Sequence, residues 1–220
     1  MTPLTKPVRS LVFVVDDDPS VRDSIERLLG TVGLPVKAFR SPFEFLAGDR
    51  PEEPSCLVLD VRLPGISGID FQRELNKANI RIPIIFITAH GDVPMSVKAM
   101  KAGAVEFLIK PFHDQDLIDA VQTALEKDRL RRLWEAEVAE LQQRLRTLTP
   151  RENEVLPLLI SGRLNKQIAA EINASEATVK VHRSQLMRKM EAQSLPDLVR
   201  MAEKLGISAP TPKADSSLPK

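Results

Sequence analysis

Leu11-Val12-Phe13-Val14-Val15-Asp16-Asp17-Asp18 decides the fold: a five-residue apolar run closes on three consecutive carboxylates. The construction returns three times, with Cys56–Leu59 ending at Asp60, Ile84–Ile87 at Thr88 and Val105–Ile109 at Lys110-Pro111. Continuous apolar runs of this length, separated by helical patterns, mark parallel strands buried on both faces. Open α/β sheets bind ligands outside the carboxyl ends of their strands, so the four polar tips are expected at one crevice.

Working outward, strands over 11–15, 35–39, 56–60, 84–88 and 105–109 alternate with helices over 19–30, 42–48, 68–78, 93–102 and from 114. Pro64, Gly65, Gly91 and Gly103 fall at the joints, as turn chemistry requires. The last helix has no stop: Asp114 to Leu148 contains neither Gly nor Pro. Within it Trp134, Val138, Leu141, Leu145 and Leu148 follow heptad spacing over about two repeats, which fits either a stripe laid on a neighbouring domain or a short coiled coil between two chains. Thr149-Pro150-Arg151-Glu152 then carries a capping-box start, opening helices over 150–160, 165–172, 176–190 and 195–205. The chain therefore reads as an α/β domain at 9–125, a linker helix at 126–147, an all-α domain at 148–206 and a disordered tail at 207–220.

Composition excludes little by itself. With 43% hydrophobic and 28% charged residues and a formal net charge of +1, the chain is ordinary for a globular protein and has no bulk attraction to nucleic acid or membrane. The balance is local: residues 1–127 hold 15 Lys and Arg against 18 Asp and Glu, and residues 128–220 hold 16 against 12. Cys56 is the single cysteine and lies in an apolar run, so no internal disulfide forms and an intracellular, cytoplasmic setting is expected. No apolar run approaches the length of a membrane span.

Three carboxylates brought within about 4 Å of one another repel by several kcal/mol per pair at an effective dielectric near 20. A hard divalent cation, Mg²⁺ or Mn²⁺, and the ammonium of Lys110 would offset that, leaving room for a dianionic phosphoryl group. Asp60, alone at a central strand tip, is the candidate nucleophile, and Thr88 can hydrogen-bond a phosphoryl oxygen. A phosphohydrolase would use the same nucleophile, but haloacid-type phosphatases place a second Asp two residues on, where this chain has Arg62.

Val14-Val15-Asp16-Asp17-Asp18, Leu59-Asp60-Val61-Arg62-Leu63-Pro64-Gly65, Ile87-Thr88-Ala89 and Lys110-Pro111 resemble the receiver domain of two-component response regulators, which has a flavodoxin-like, doubly wound, five-stranded parallel sheet. The resemblance implies phosphorylation of Asp60 by a sensor histidine kinase rather than enzymatic turnover. It implies Mg²⁺ held by Asp17, Asp60 and the main-chain carbonyl of Arg62, with Asp16 assisting through water. It also implies a phosphoryl site that includes Thr88, Ala89 and Lys110, a switch pair of Thr88 and Phe107, and a cis Lys110-Pro111 bond.

Residues 175–190 form a second site. Lys180, Arg183, Arg188 and Lys189 stand against Glu176, and Ser175 is a natural N-cap. Val179, Leu186 and Met190 give an inward stripe, leaving Thr178, Lys180, Val181 and Ser184 outward. A short helix, a small loop and a basic helix make a helix-turn-helix, whose second helix presents its N-terminal half to base edges. Thr149-Pro150-Arg151-Glu152-Asn153-Glu154-Val155-Leu156, Asn165-Lys166-Gln167-Ile168-Ala169 and Thr178-Val179-Lys180-Val181-His182-Arg183 resemble the LuxR-type four-helix domain. Together with the receiver this resembles the NarL/FixJ family, FixJ branch, through His90-Gly91-Asp92-Val93-Pro94-Met95. Carried over, Lys180, Val181 and Ser184 are base contacts, and Thr178, Lys166, His182 and Arg183 backbone contacts. The implied partners are the kinase, double-stranded promoter DNA, RNA polymerase and a second copy on phosphorylation. A receiver that pairs or binds partners without phosphate is the alternative. Two departures stand out: Pro157 is expected to kink or shorten its helix, and Ala174 to loosen the joint before the recognition helix.

Overall fold

The computed structural model describes residues 10–49 and 52–209, so most of the expected tail, 210–220, lies outside the described residues. Compact units divide between Leu133 and Trp134.

In the first unit β1 (Leu11–Val15), β2 (Val36–Phe39), β3 (Ser55–Asp60), β4 (Ile84–Thr88) and β5 (Glu106–Ile109) form one parallel sheet in the order β2-β1-β3-β4-β5. Helices α1 (Pro19–Thr31), α2 (Pro42–Ala47), α3 (Gly68–Lys77) and α4 (Val93–Lys101) connect them, and α5 (Asp114–Arg146) follows β5. Element bounds fall within a residue or so of the sequence expectation, the usual fraying at ends.

Period-two alternation sorts the strand side chains onto two cores. Val12, Val14, Val58 and Ile87 pack with Leu29 of α1 and Val121 of α5. Phe13, Leu57 and Phe86 pack on the other face with Phe45 of α2, Phe71 of α3 and Ala99 of α4. Full burial of one such Leu, Ile or Phe contributes about 1.5–3 kcal/mol, so the sheet faces dominate the stability of this unit. The register then fixes the upper edge. Val15 pairs with Leu59, Asp60 with Ile87 and Thr88 with Ile109, so Asp16, Asp60, Thr88 and Lys110 follow one another across adjacent strand ends.

At the opposite edge, a wholly buried Asp128 of α5 accepts the amide of Ser55 at 3.0 Å and the guanidinium groups of Arg131 and Arg132 at 2.6 Å each. That ties α5 to the start of β3.

The second unit contains α6 (Pro150–Ile160), α7 (Asn165–Glu171), α8 (Glu176–Met190) and α9 (Leu195–Lys204) around Leu156, Leu159, Ile168, Val179, Leu186 and Leu198. The last turns of α5 join it: Leu141 and Leu148 are buried, Arg144 donates to the Met190 carbonyl, and Glu137 pairs with Lys204. Trp134, at the upper end of the heptad stripe, is half exposed. The capping box forms, with the Glu152 amide on Thr149 Oγ1 at 3.3 Å and the Thr149 amide on Glu152 Oε2 at 2.8 Å. Pro157 does not shorten α6, which runs on to Ile160. The joint at Ala174 is closed by its amide on the Ala169 carbonyl at 2.9 Å, with Asn173 left-handed at φ 52°. Among the described residues no helix is long and apolar enough to cross a membrane.

Candidate phosphoacceptor and nucleic-acid sites

At the strand ends the decisive contact is a single ammonium shared by two carboxylates. Lys110 Nζ donates to Asp16 Oδ2 at 2.7 Å and to Asp60 Oδ1 at 3.0 Å. Asp16 Oδ1 takes the Asp18 amide at 2.9 Å, and Asp60 Oδ2 the Arg62 amide at 2.6 Å. Both carboxylates are buried. Burial pushes the Asp60 carboxyl above its ordinary value, against Lys110, which pulls it down; the neighbouring Asp16 charge raises it further, and the Arg62 amide lowers it. For Lys110 burial pulls the pKa down, and its bonds and charge contacts with Asp16 and Asp60 more than reverse that, leaving it raised.

Asp17 stands apart. Its side chain is exposed and lines, with Arg62, Pro64, Ser67 and Met95, a cavity of about 590 Å³. Among the described residues no three Asp, Glu, His or Cys side chains close into a metal cage. The donors at hand are carboxylates and loop carbonyls, a hard oxygen set that suits a cation keeping waters and phosphate oxygens in its shell. Thr88 is wholly buried with Oγ1 accepting the His90 amide at 3.3 Å, while Ala89 beside it is exposed. Phe107 is partly buried, its ring 6.3 Å from that of Phe86. The Lys110-Pro111 bond is cis.

Three further residues support the site through contacts that the sequence does not reveal. A Cβ at Gly68, the first residue of α3, would lie 2.3 Å from the Asp60 carbonyl oxygen, so α3 can begin this close to the end of β3 only with glycine. Gly91 lies against Phe107 and Ile109, where a Cβ would come within 3.0 Å of the Phe107 ring. Arg22 of α1 donates from Nη1 to the carbonyl oxygens of Asp16 and Asp17 at 2.6 and 3.0 Å. None announces itself in a strand pattern, because each acts through backbone proximity.

In the helical unit Ser175 caps α8, its Oγ accepting the Thr178 amide at 3.0 Å. Val179, Leu186 and Met190 are buried, and Thr178, Lys180, Val181 and Ser184 are exposed on the N-terminal half. Val181 is 58% exposed, an apolar side chain held out toward solvent. Lys166 is exposed on α7, while His182 and Arg183 are half-buried, and Arg183 Nη1 reaches Asn165 Oδ1 at 3.4 Å. Lys189, counted among the basic residues of the helix, is spent inward: it bonds the buried Glu152 at 2.7 Å and the Thr147 carbonyl at 3.1 Å. Burial alone would raise the Glu152 pKa, but Lys189 and the Thr149 amide outweigh it and hold the carboxylate below its ordinary range. The outward charge of α8 is therefore smaller than its composition suggests.

A strand-edge aspartate paired to lysine, on a 2-1-3-4-5 parallel sheet, together with a helix-turn-helix bearing a solvent-facing basic second helix, defines a receiver joined to a DNA-binding output domain. The sequence matches the response regulator receiver domain over residues 12–122 and the bacterial regulatory proteins of the luxR family over residues 146–202. It is 56% identical to nodulation protein W of Bradyrhizobium diazoefficiens over 201 residues, 91% of this chain and 88% of that one. It is 44% identical to the transcriptional regulatory protein FixJ of Rhizobium meliloti over 191 residues, 87% and 94% of the two chains. The solved response regulator StyR superposes with a TM-score of 0.78 at 49% identity, covering 89% of this chain and 99% of that one. The chain belongs to the response regulators with a LuxR-type output domain, whose FixJ, NodW and TodT relatives it resembles over most of its length.

Proposed function

We propose that Asp60 accepts a phosphoryl group from a sensor histidine kinase and that this acyl phosphate switches DNA binding by the helical unit. A carboxylate oxygen of Asp60 attacks phosphorus, the P–N bond to the kinase histidine breaks, and the histidine nitrogen keeps the electron pair. The observation that carries the reading is Lys110 Nζ bridging Asp16 and Asp60 at neighbouring strand ends, a preorganised cation where negative charge accumulates. Asp17, Asp60 and the Arg62 carbonyl would hold Mg²⁺ or Mn²⁺, with Asp16 acting through water; bound there, the ion screens the phosphoryl oxygens. The Thr88 hydroxyl at the end of β4 and the Ala89 amide directly after it are suited to receive a phosphoryl oxygen. Reorientation of Thr88 and Phe107 then reshapes the α4 and β5 face, where Val97 and Ile109 are 44% and 52% exposed.

Through that face two copies pair, and two α8 helices engage half-sites of promoter DNA, with Lys180, Val181 and Ser184 at base edges and Lys166, Thr178, His182 and Arg183 toward the backbone. RNA polymerase is the downstream partner of such a complex. The test is incubation with acetyl phosphate and Mg²⁺: wild type gains acid-labile phosphate and Asp60→Asn gains none. Persistent labelling of the variant removes Asp60 from the role, and equal operator affinity with and without acetyl phosphate removes the switch.

A further inference from the structure

Arg22 is the fourth residue of α1, at the end of the helix where the macrodipole disfavours a cation, and the first turn carries no acidic side chain to compensate. The macrodipole thus gives no reason for a guanidinium folded back toward the N-terminus, and the Asp18 carboxylate at the N-cap is committed to the Ser20 amide. The two bonds that Arg22 makes give one. Nη1 donates to the Asp16 carbonyl at 2.6 Å and the Asp17 carbonyl at 3.0 Å. Those carbonyls belong to the two peptide planes that flank Asp17, so one guanidinium ties the two planes together and restrains the backbone that aims the Asp17 Cα–Cβ bond. The rest of the loop is already committed: Asp16 is bonded through both oxygens, and Asp18 caps α1 through the Ser20 amide at 2.8 Å. Asp17 is the one acidic residue of the three whose side chain lines the cavity it shares with Arg62.

We propose that Arg22 is a positioning residue for the divalent-ion site, acting on the peptide planes around Asp17 rather than on the ion. The inference rests on the reading that this cavity takes Mg²⁺ or Mn²⁺. Positioning and plain electrostatics predict opposite signs, because deleting a nearby positive charge by itself tightens binding of a dication.

The experiment titrates Mn²⁺ into the full chain, following free ion by electron paramagnetic resonance, for wild type, Arg22→Met and Arg22→Lys. Loss of an outer-shell partner typically weakens metal affinity roughly 10- to 100-fold, and a loss of at least tenfold is expected for Arg22→Met, with Arg22→Lys between it and wild type. In acetyl phosphate labelling, the half-saturating Mg²⁺ concentration should rise in Arg22→Met while the plateau rate at saturating Mg²⁺ stays near wild type. A lowered plateau with unchanged half-saturation overturns the proposal, as does Mn²⁺ binding in Arg22→Met as tight as wild type or tighter. Wild type that binds no Mn²⁺ overturns the ion reading itself, a result separable from failure of the variant alone. Should Arg22→Met not fold, Arg22→Lys decides: weaker binding supports positioning and equal binding overturns it.

Discussion

Replacing Lys110 by methionine tests the electrostatic core of the site, because the side chain keeps its length and apolar stem while losing the charge and all three donors. Two carboxylate oxygens bonded to one nitrogen at 2.7 and 3.0 Å lie at most about 5.7 Å apart, where unit charges repel by about 3 kcal/mol at an effective dielectric near 20. In wild type the ammonium offsets that repulsion; in Lys110→Met both buried oxygens face it uncompensated. A loss of about 3 kcal/mol at neutral pH is expected, within the range for breaking one partner of a buried pair.

The pH dependence carries the diagnosis. The Asp60 carboxyl is already raised by burial, and removing Lys110 raises it further. A folded-state pKa above the unfolded one means that the native state binds more protons, so stability of the variant falls as pH rises through the folded value and recovers on acidification. The uncompensated repulsion acts in the same upward direction as burial, so recovery should set in as pH is lowered from neutral toward the ordinary carboxylate range. Urea unfolding of the metal-free protein, followed by far-ultraviolet circular dichroism across that range, measures it, and adding Asp16→Asn should restore most of the loss at neutral pH. A deficit that is the same at every pH, or that Asp16→Asn leaves untouched, would falsify the shared-ammonium account.

Gly68→Ala should cost about 1–3 kcal/mol, since the added carbon meets backbone of Asp60 and Val61 that has no flexible end to yield, and acetyl phosphate labelling should slow with it. In the helical unit Glu152 has a depressed pKa, so its contribution is complete above the unfolded value of about 4.3 and is lost as pH falls through the folded one. Lys189→Met should flatten that acid slope and cost about 3 kcal/mol, read from acid and urea titrations of the same variant. Lys180→Ala should weaken binding to a specific operator by about 1–3 kcal/mol, whereas Lys166→Ala should weaken all sequences alike and lower the salt slope by about one. Gel-shift titrations at several salt concentrations separate the two.

The sequence determined the centre of the sheet, because β1, β3 and β4 are buried on both faces and are written as unbroken apolar runs that stop at Asp16, Asp60 and Thr88, while the edge strand β5, interrupted by Glu106, is marked mainly by its end at Lys110. It determined the recognition helix for a similar reason: a cap at Ser175 and apolar residues at Val179, Leu186 and Met190 leave only one outward face. Tertiary structure alone decided how the acidic tips share charge. The expected gathering of three carboxylates became a pair on one ammonium with Asp17 apart at the cavity, since an ammonium within hydrogen-bond reach of two carboxylates depends on strand register and not on spacing along the chain. Only the fold turned Lys189 inward to Glu152, a residue 37 positions away, and so removed a charge that composition assigns to the DNA face. Gly68 and Arg22 belong to the same class, because each meets backbone atoms that every residue carries, so the sequence does not say which part of the chain a glycine lets approach or an arginine bonds.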